Sequence, residues 1–271
     1  PGGALIQYGG TLDITGTDFT GNVAGNATYD SQNNFSGAAG CGAAVYASNV
    51  TATVTQSQFL DNAGHSGGDG GGGAWRQQVG MATFQNVLFS GNSDSTGGGA
   101  IGGYHATIAV TNGLFLENSS RSYGGAISGG DDLTVQNATF VGNSNTLSNG
   151  FAGALQGGTV SSSIINSIFS DNTSVIGGAL YFPVGSTVTL NYNDFWNNFP
   201  ADSAGATPGS SVGNLVVDPL FVDVSNSDPD LWDVSLQSAS SLQDAGDPTL
   251  TDPDASRSSM GAYGGALGNN F

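Results

Sequence analysis

The side chains best suited to chemistry in this chain are short carboxylates. Asp and Glu number 21 against three Lys and Arg, for a formal net charge of -18, and Glu117 is the single glutamate. Aspartates gather toward the C-terminus, where Asp244, Asp247, Asp252 and Asp254 stand among Pro, Ser and Gly. Short carboxylates on loops can chelate a hard cation, so these four are the candidate Ca²⁺ ligands. Asp252-Pro253-Asp254 lacks the full spacing of an EF-hand loop, so a site there would be of another kind; turn bonding and solubility are the competing uses.

Reaction chemistry has fewer candidates. Hydrolysis of a glycosidic bond requires two convergent carboxylates, and uronate elimination a base beside bound Ca²⁺. Asp131-Asp132 is the sharpest internal acidic pair, but neighbours on a strand point to opposite faces, which places the pair in a turn. Arg76 and Arg121 could recognise an acidic sugar; His65 and His105 lack Cys or Glu at metal-binding spacing. Tyr104, Tyr123, Trp75, Tyr181 and Trp196 could line a carbohydrate-binding face, although rings also stack well between repeats. No residue is assigned a catalytic role, and the reading leans away from an enzyme. The acidic surface repels phosphate backbones, which excludes nucleic acid as partner. Cys41 is the lone cysteine, read as a buried thiol, and no apolar run is long enough to span a membrane. Six N-x-S/T sequons, at Asn26, Asn34, Asn49, Asn118, Asn137 and Asn172, matter only in a glycosylating host; the Asn137 side chain is expected inside.

The elements that must position these groups emerge when the chain is aligned on Phe19, Phe59, Phe89, Phe115, Phe140, Phe169 and Phe195. Three residues after each stands Asn22, Asn62, Asn92, Asn118, Asn143, Asn172 and Asn198; five before each stands Ile14, Val54, Phe84, Val110, Val135, Ile164 and Leu190. Upstream lie Gly-Gly-Ala-aliphatic motifs such as Gly98-Gly99-Ala100-Ile101 and Gly124-Gly125-Ala126-Ile127. The intervening stretches alternate apolar and polar, the two-residue period of strands. A five-residue offset cannot place both apolar columns inward on one unbroken strand, so each repeat bends and forms a coil. Spacings of mostly 25 to 30 residues suit one turn of a three-sided solenoid in which Phe stacks on Phe and Asn on Asn.

The fold expected is therefore all-β: a right-handed, single-stranded parallel β-helix, a three-sided solenoid with an irregular C-terminal cap. Coils are expected over residues 1–222, with insertions near 23–41 and 63–73, the first a loop or a degenerate coil around Phe35. At about 4.8 Å per coil the rod is about 35 to 45 Å long. Val216 and Phe221 repeat the five-residue offset and are read as a less regular last coil. Residues 223–271 form an irregular coil or cap that covers the end of the stack, where an uncovered solenoid would expose apolar edge. At the other end the pattern is already running at Gly2-Gly3-Ala4-Leu5, so the chain is expected to begin within a longer rod.

The joint G-G-A-[aliphatic] and F-x-x-N repeats, from Gly2-Gly3-Ala4-Leu5 with Phe19 through Gly177-Gly178-Ala179-Leu180 with Phe195-Trp196-Asn197-Asn198, resemble those of the polymorphic outer-membrane protein family. That resemblance implies an autotransported passenger β-helix associated with adhesion. The tail from Asp244-Ala245-Gly246-Asp247-Pro248 to Met260-Gly261-Ala262-Tyr263-Gly264-Gly265 is similar to endings of secreted bacterial β-helices. The expected function is an extracellular or cell-surface structural or adhesive rod that presents a contact face to a protein or surface, including further copies or flanking domains of the same rod. The alternative is a carbohydrate-binding or carbohydrate-active β-helix, lyase or glycoside hydrolase.

Overall fold

A computed structural model describes residues 3–25, 42–65 and 71–268. It is an all-β parallel solenoid of stacked coils. The first coil holds β1 (Leu5–Tyr8), β2 (Thr11–Thr15) and β3 (Asp18–Thr20). In the next three coils the same sides run on within one long bent strand each: β4 (Val45–Leu60), β5 (Trp75–Ser90, followed by β6, Ser93–Asp94) and β7 (Ile101–Leu116, followed by β8, Ser119–Ser120). The fifth coil comprises β9 (Ile127–Ser128), β10 (Asp132–Gln136), β11 (Thr139–Val141) and β12 (Ser144–Asn145). The sixth has β13 (Leu155–Gln156), β14 (Ser161–Ile165) and β15 (Ile168–Ser170), and the seventh β16 (Leu180–Phe182), β17 (Thr187–Asn191) and β18 (Asp194–Trp196). We call the three faces side 1 (the β1 column), side 2 (the β2 column) and side 3 (the β3 column).

The interior explains the repeat. Phe19, Phe59, Phe89, Phe115, Phe140, Phe169 and Phe195 stack with centroids 4.6–5.4 Å apart and planes within 9° of parallel, so one ring occupies each coil at the strand spacing. Beside them runs the asparagine column. Each Asn from Asn22 to Asn172 donates through its backbone N and Nδ2 to Oδ1 of the Asn one coil on, at 2.8–3.1 Å. From Asn62 onward Nδ2 also donates to the carbonyl of the Phe one coil back. Buried amides are thereby satisfied along the axis, as a dry interior requires. The paired glycines answer to crowding: a Cβ on Gly99 would lie 2.1 Å from the Gly125 carbonyl oxygen, and one on Gly125 1.9 Å from that of Gly153.

The corners carry a second set of residues. Between sides 2 and 3 the backbone enters the left-handed region at Gly16, Gln56, Asn86, Asn112, Asn137, Asn166 and Tyr192, three residues before each stacked Phe. Asn tolerates this conformation better than most side chains because its short amide can bond locally.

Beyond the seventh coil the register changes. β19 (Ser203–Gly205) still pairs with β16, and isolated bridges join Ser210 to Thr189 and Leu215 to Asp194. Leu215, not Phe221, therefore sits beside the seventh coil; Val216 is 67% exposed. The expected Val216–Phe221 coil does not form: the chain covers the last coil edge in fewer residues, and Phe221 opens an antiparallel pair, β20 (Phe221–Asp223) with β21 (Asp233–Leu236), joined through a 3-10 turn at Pro229–Leu231.

Residues 203–215 meet the edge of the seventh coil, and the irregular C-terminal segment runs back along side 3. Met260 and Leu242 pack with Ile168 of the sixth coil, and the Ala262 N–H donates to Thr139 Oγ1 of the fifth. Leu267 accepts a bond from Asn86 of the third. The degenerate coil around Phe35, Cys41, the sequons at Asn26 and Asn34, most of the 23–41 insertion and the centre of the 63–73 one lie outside the described residues.

Candidate functional site: the lateral faces

With the interior filled, chemistry is confined to the three faces and to grooves beside the tail. Side 1 carries rings. Tyr8 (64% exposed) lies 5.9 Å from Tyr46, Tyr46 donates a hydrogen bond to Gln78 Oε1, and Arg76 lies 5.5 Å from the ring of Tyr104, itself 4.4 Å from His105. Trp75, a candidate for this face, is instead fully buried, edge-on to Phe59 and Phe84. It occupies the aliphatic position of the Gly-Gly-Ala motif, which points inward. Tyr123, Phe151 and Tyr181 form a separate stack farther along.

Side 2 is a bare sheet. Its strands stay in parallel register without a bulge from Thr11 through Thr51, Met81, Thr107, Asp132 and Ser161 to Thr187. The outward positions hold mainly Thr and Ser, with a few amides and three apolar side chains. Asp13 and Asp132 are its charges, and no aromatic residue or arginine stands among them.

Side 3 carries an apolar patch on its middle coils, and that patch is covered. Leu114, Leu116 and Val141 point outward yet are buried beneath Val234, Ala262, Trp232 and Tyr263. The corner asparagines hold the tail: Asn112 Nδ2 donates to the carbonyls of Ala262 and Gly264, and Asn137 Nδ2 to Ser258 Oγ and the Ser259 carbonyl. Asn166 Oδ1 accepts from Asp247 N. Asn137 is thus buried against the tail and not inside the coil, as the sequence had suggested. Asn118 and Asn172 are buried in the ladder, so a sugar on any of these three would displace packed structure.

The four C-terminal aspartates are spread along the tail. Asp247 Oδ1 accepts from the N–H and hydroxyl of Thr249, and Asp254 Oδ1 from the N–H of Ser256. Asp252 accepts from Ser259 N and Gly265 N, while Asp244 bonds Ser259 Oγ through its own N–H. Asp223 and Asp233 bind Ser225 and Ser235 in the same way, so Asp-x-Ser/Thr is a turn unit of this tail. The bonds from Ser225 and Ser256 hold the Asp223 and Asp254 carboxyls below the usual range. Among the described residues no three His, Cys, Asp or Glu converge as a metal cluster.

The other candidates separate. Asp131 lies 3.4 Å from His105 Nδ1 and accepts from Thr159 Oγ1, whereas Asp132 accepts from Ser161 Oγ. Arg76 and Arg121 sit on successive coils, since Arg121 N donates to the Asp94 carbonyl one coil back from it, but on different sides. His65, Asp94 and Arg121 share the wall of a groove of about 290 Å³. Trp196 lines another of about 360 Å³ with Asp171 and Asp218, and both carboxylates already accept hydrogen bonds, from Asn197 and Ser170 and from Leu220 N.

Asp194 was missed by sequence reasoning. It is buried where the last coil leaves the stack and accepts from Val217 N at 3.0 Å, with its other oxygen unpartnered. Burial pushes it to about 7, opposed by bonds from Val217 and Phe195 N–H and reinforced by Asp202 and Asp218. Its signal was a charge next to a core Phe, in the column that holds Ile168 one coil earlier.

Among the described residues, no helix is long and apolar enough to cross a membrane. Comparison with models of known protein families and with curated proteins finds no match for the chain.

Proposed function

We propose that the chain is a non-catalytic structural or adhesive segment of an extracellular or cell-surface rod, acting through a lateral face. The observation that carries this reading is side 2. Seven in-register strands hold an exposed polar array, while the apolar side chains on the middle coils of side 3 are covered by the chain's own tail. A rod whose interior is a continuous Phe and Asn stack keeps such an array at fixed spacing, which suits a repetitive partner surface. The resemblance to passenger β-helices fits the same location. Adsorption of the purified chain to cells, matrix or mineral, ice and polysaccharide surfaces tests it. Binding that fails when bulky side chains are placed on side 2 supports the reading; a folded chain that adsorbs to nothing sinks it.

A second reading has its own observation. Tyr8, Tyr46 and Tyr104 occupy side 1 with amide and guanidinium neighbours, an arrangement suited to carbohydrate binding. Glycan binding that disappears in Tyr8→Ala and Tyr104→Ala, with no cleavage of the glycan, would make this the principal role.

A further inference from the structure

The reading that a lateral face does the work leaves open which surface side 2 fits. Three outward residues per strand repeat across seven coils. Thr53, Thr83, Thr134 and Thr189 share the middle column, flanked by Thr51 in the first and Thr55 in the third. Each alternates with a buried core residue such as Ala52, Val54, Ala82 or Phe84, so the side chains stand up from a sheet that cannot slip without turning its core outward. Among the described residues the hydroxyls of Thr51, Thr53, Thr83, Thr134 and Thr189 make no hydrogen bond to protein, and each stands beside a methyl group that sheds water.

The spacing of this grid is set by backbone geometry: about 4.8 Å from coil to coil and about 6.6 Å between alternate residues along a strand. Those two repeats are close to the repeats of oxygen atoms along the two axes of the prism face of hexagonal ice. We propose that side 2 is an ice-binding face, on which threonine hydroxyls hydrogen-bond to lattice water and threonine methyls fit the gaps between. The composition distinguishes this from other flat partners. Sugar platforms rely on aromatic rings and protein interfaces are enriched in aromatic residues and arginine; the outward positions of side 2 contain neither, and its charges are confined to Asp13 and Asp132. A crystal surface also demands rigidity, which the bulge-free register provides.

The test uses the full purified chain in thermal-hysteresis and ice-recrystallisation assays, beside Thr53→Tyr and Thr134→Tyr on the grid and Val222→Tyr on the tail. Circular dichroism melts check that each variant is folded. The expected result is ice activity in the native chain and in Val222→Tyr, with loss of most of it in the two grid variants at unchanged Tm. A folded native chain without ice activity overturns the proposal, as does activity that survives both grid substitutions. Binding to crystalline cellulose or chitin without any effect on ice would overturn it in favour of a polysaccharide partner while the lateral-face reading stands. Adsorption to none of these, nor to cells, would sink both.

Discussion

Sides 2 and 3 are built from the same coils and yet end in opposite states. On side 2 most outward residues are hydroxyls or amides, and the face is left to solvent. On side 3 the middle coils carry Leu88, Leu114, Leu116, Val141 and Ile168 among polar neighbours such as Ser90 and Thr139, and these apolar side chains lie under the irregular chain. Covering apolar area stabilises by about 25 cal/mol for each Å², so the tail gains from side 3 what it cannot gain from side 2. The corner asparagines then fix its path. Their left-handed backbone leaves the amides clear of the coil, where they bind tail carbonyls and hydroxyls that would otherwise be buried without partners. The regular face is available to a partner because the irregular one has been consumed by the fold.

That contrast is broken most directly by charge. Leu116→Asp would bury an unpaired carboxylate beneath Val234 and is expected to lower unfolding stability by about 3 kcal/mol or more. Thr53→Asp on the bare face should change it by no more than about 0.5 kcal/mol. Urea titration of both variants measures the difference, and equal losses would mean that the tail does not cover side 3. Next in size is Asn137→Ala, which leaves tail groups at Ser258 and Ser259 without their donor and places alanine at a positive φ of 50°. About 1–3 kcal/mol should be lost from the missing hydrogen bonds, with faster proteolysis within residues 240–268. Asn137→Gly separates the two causes, since glycine accepts the backbone: if it restores stability fully, the amide was not holding the tail.

Much of this architecture was legible because the solenoid writes it locally. Phe89 and Phe115 stack because the parallel register sets them side by side, and each Asn three residues on reaches an identical partner. The tail was not legible in the same way. Nothing in Asp244 to Gly265 follows the coil repeat, so its course depends on which distant surface it meets. Two signals pointed there: Leu114-Phe115-Leu116 has apolar residues on both faces of one strand, and asparagine recurs three residues before Phe as well as three after. The Asp-x-Ser/Thr units around Asp223, Asp233, Asp247 and Asp254 likewise marked turns, whereas a count of carboxylates suggested a cation.

A smaller effect concerns Asp194, where coils give way to tail. Its carboxyl is raised in the folded state to about 7, so the folded chain favours the protonated form. The associated stability is fully present below the ordinary aspartate range and is lost as pH rises through about 7. Asp194→Asn should therefore raise Tm by a few degrees at about pH 8, little near pH 4, and flatten the profile between. An unchanged profile would show that water reaches this carboxylate and that the last coil is looser than its contacts with Val217 imply.

The smallest expected effect is that of Ca²⁺ on the tail. A cation binding the folded state alone would raise Tm with concentration. Yet Asp247 and Asp254 already accept bonds within their own turns, and Asp252 is engaged by Ser259 and Gly265. To gather around one ion these carboxylates would have to give up those bonds and draw together segments that the corner asparagines hold apart, so adding Ca²⁺ or a chelator should leave the melting curve where it was. A saturable rise in Tm, abolished by Asp252→Asn, would reverse that conclusion and make the tail a metal-set cover, with the protection of side 3 under the control of the surrounding medium.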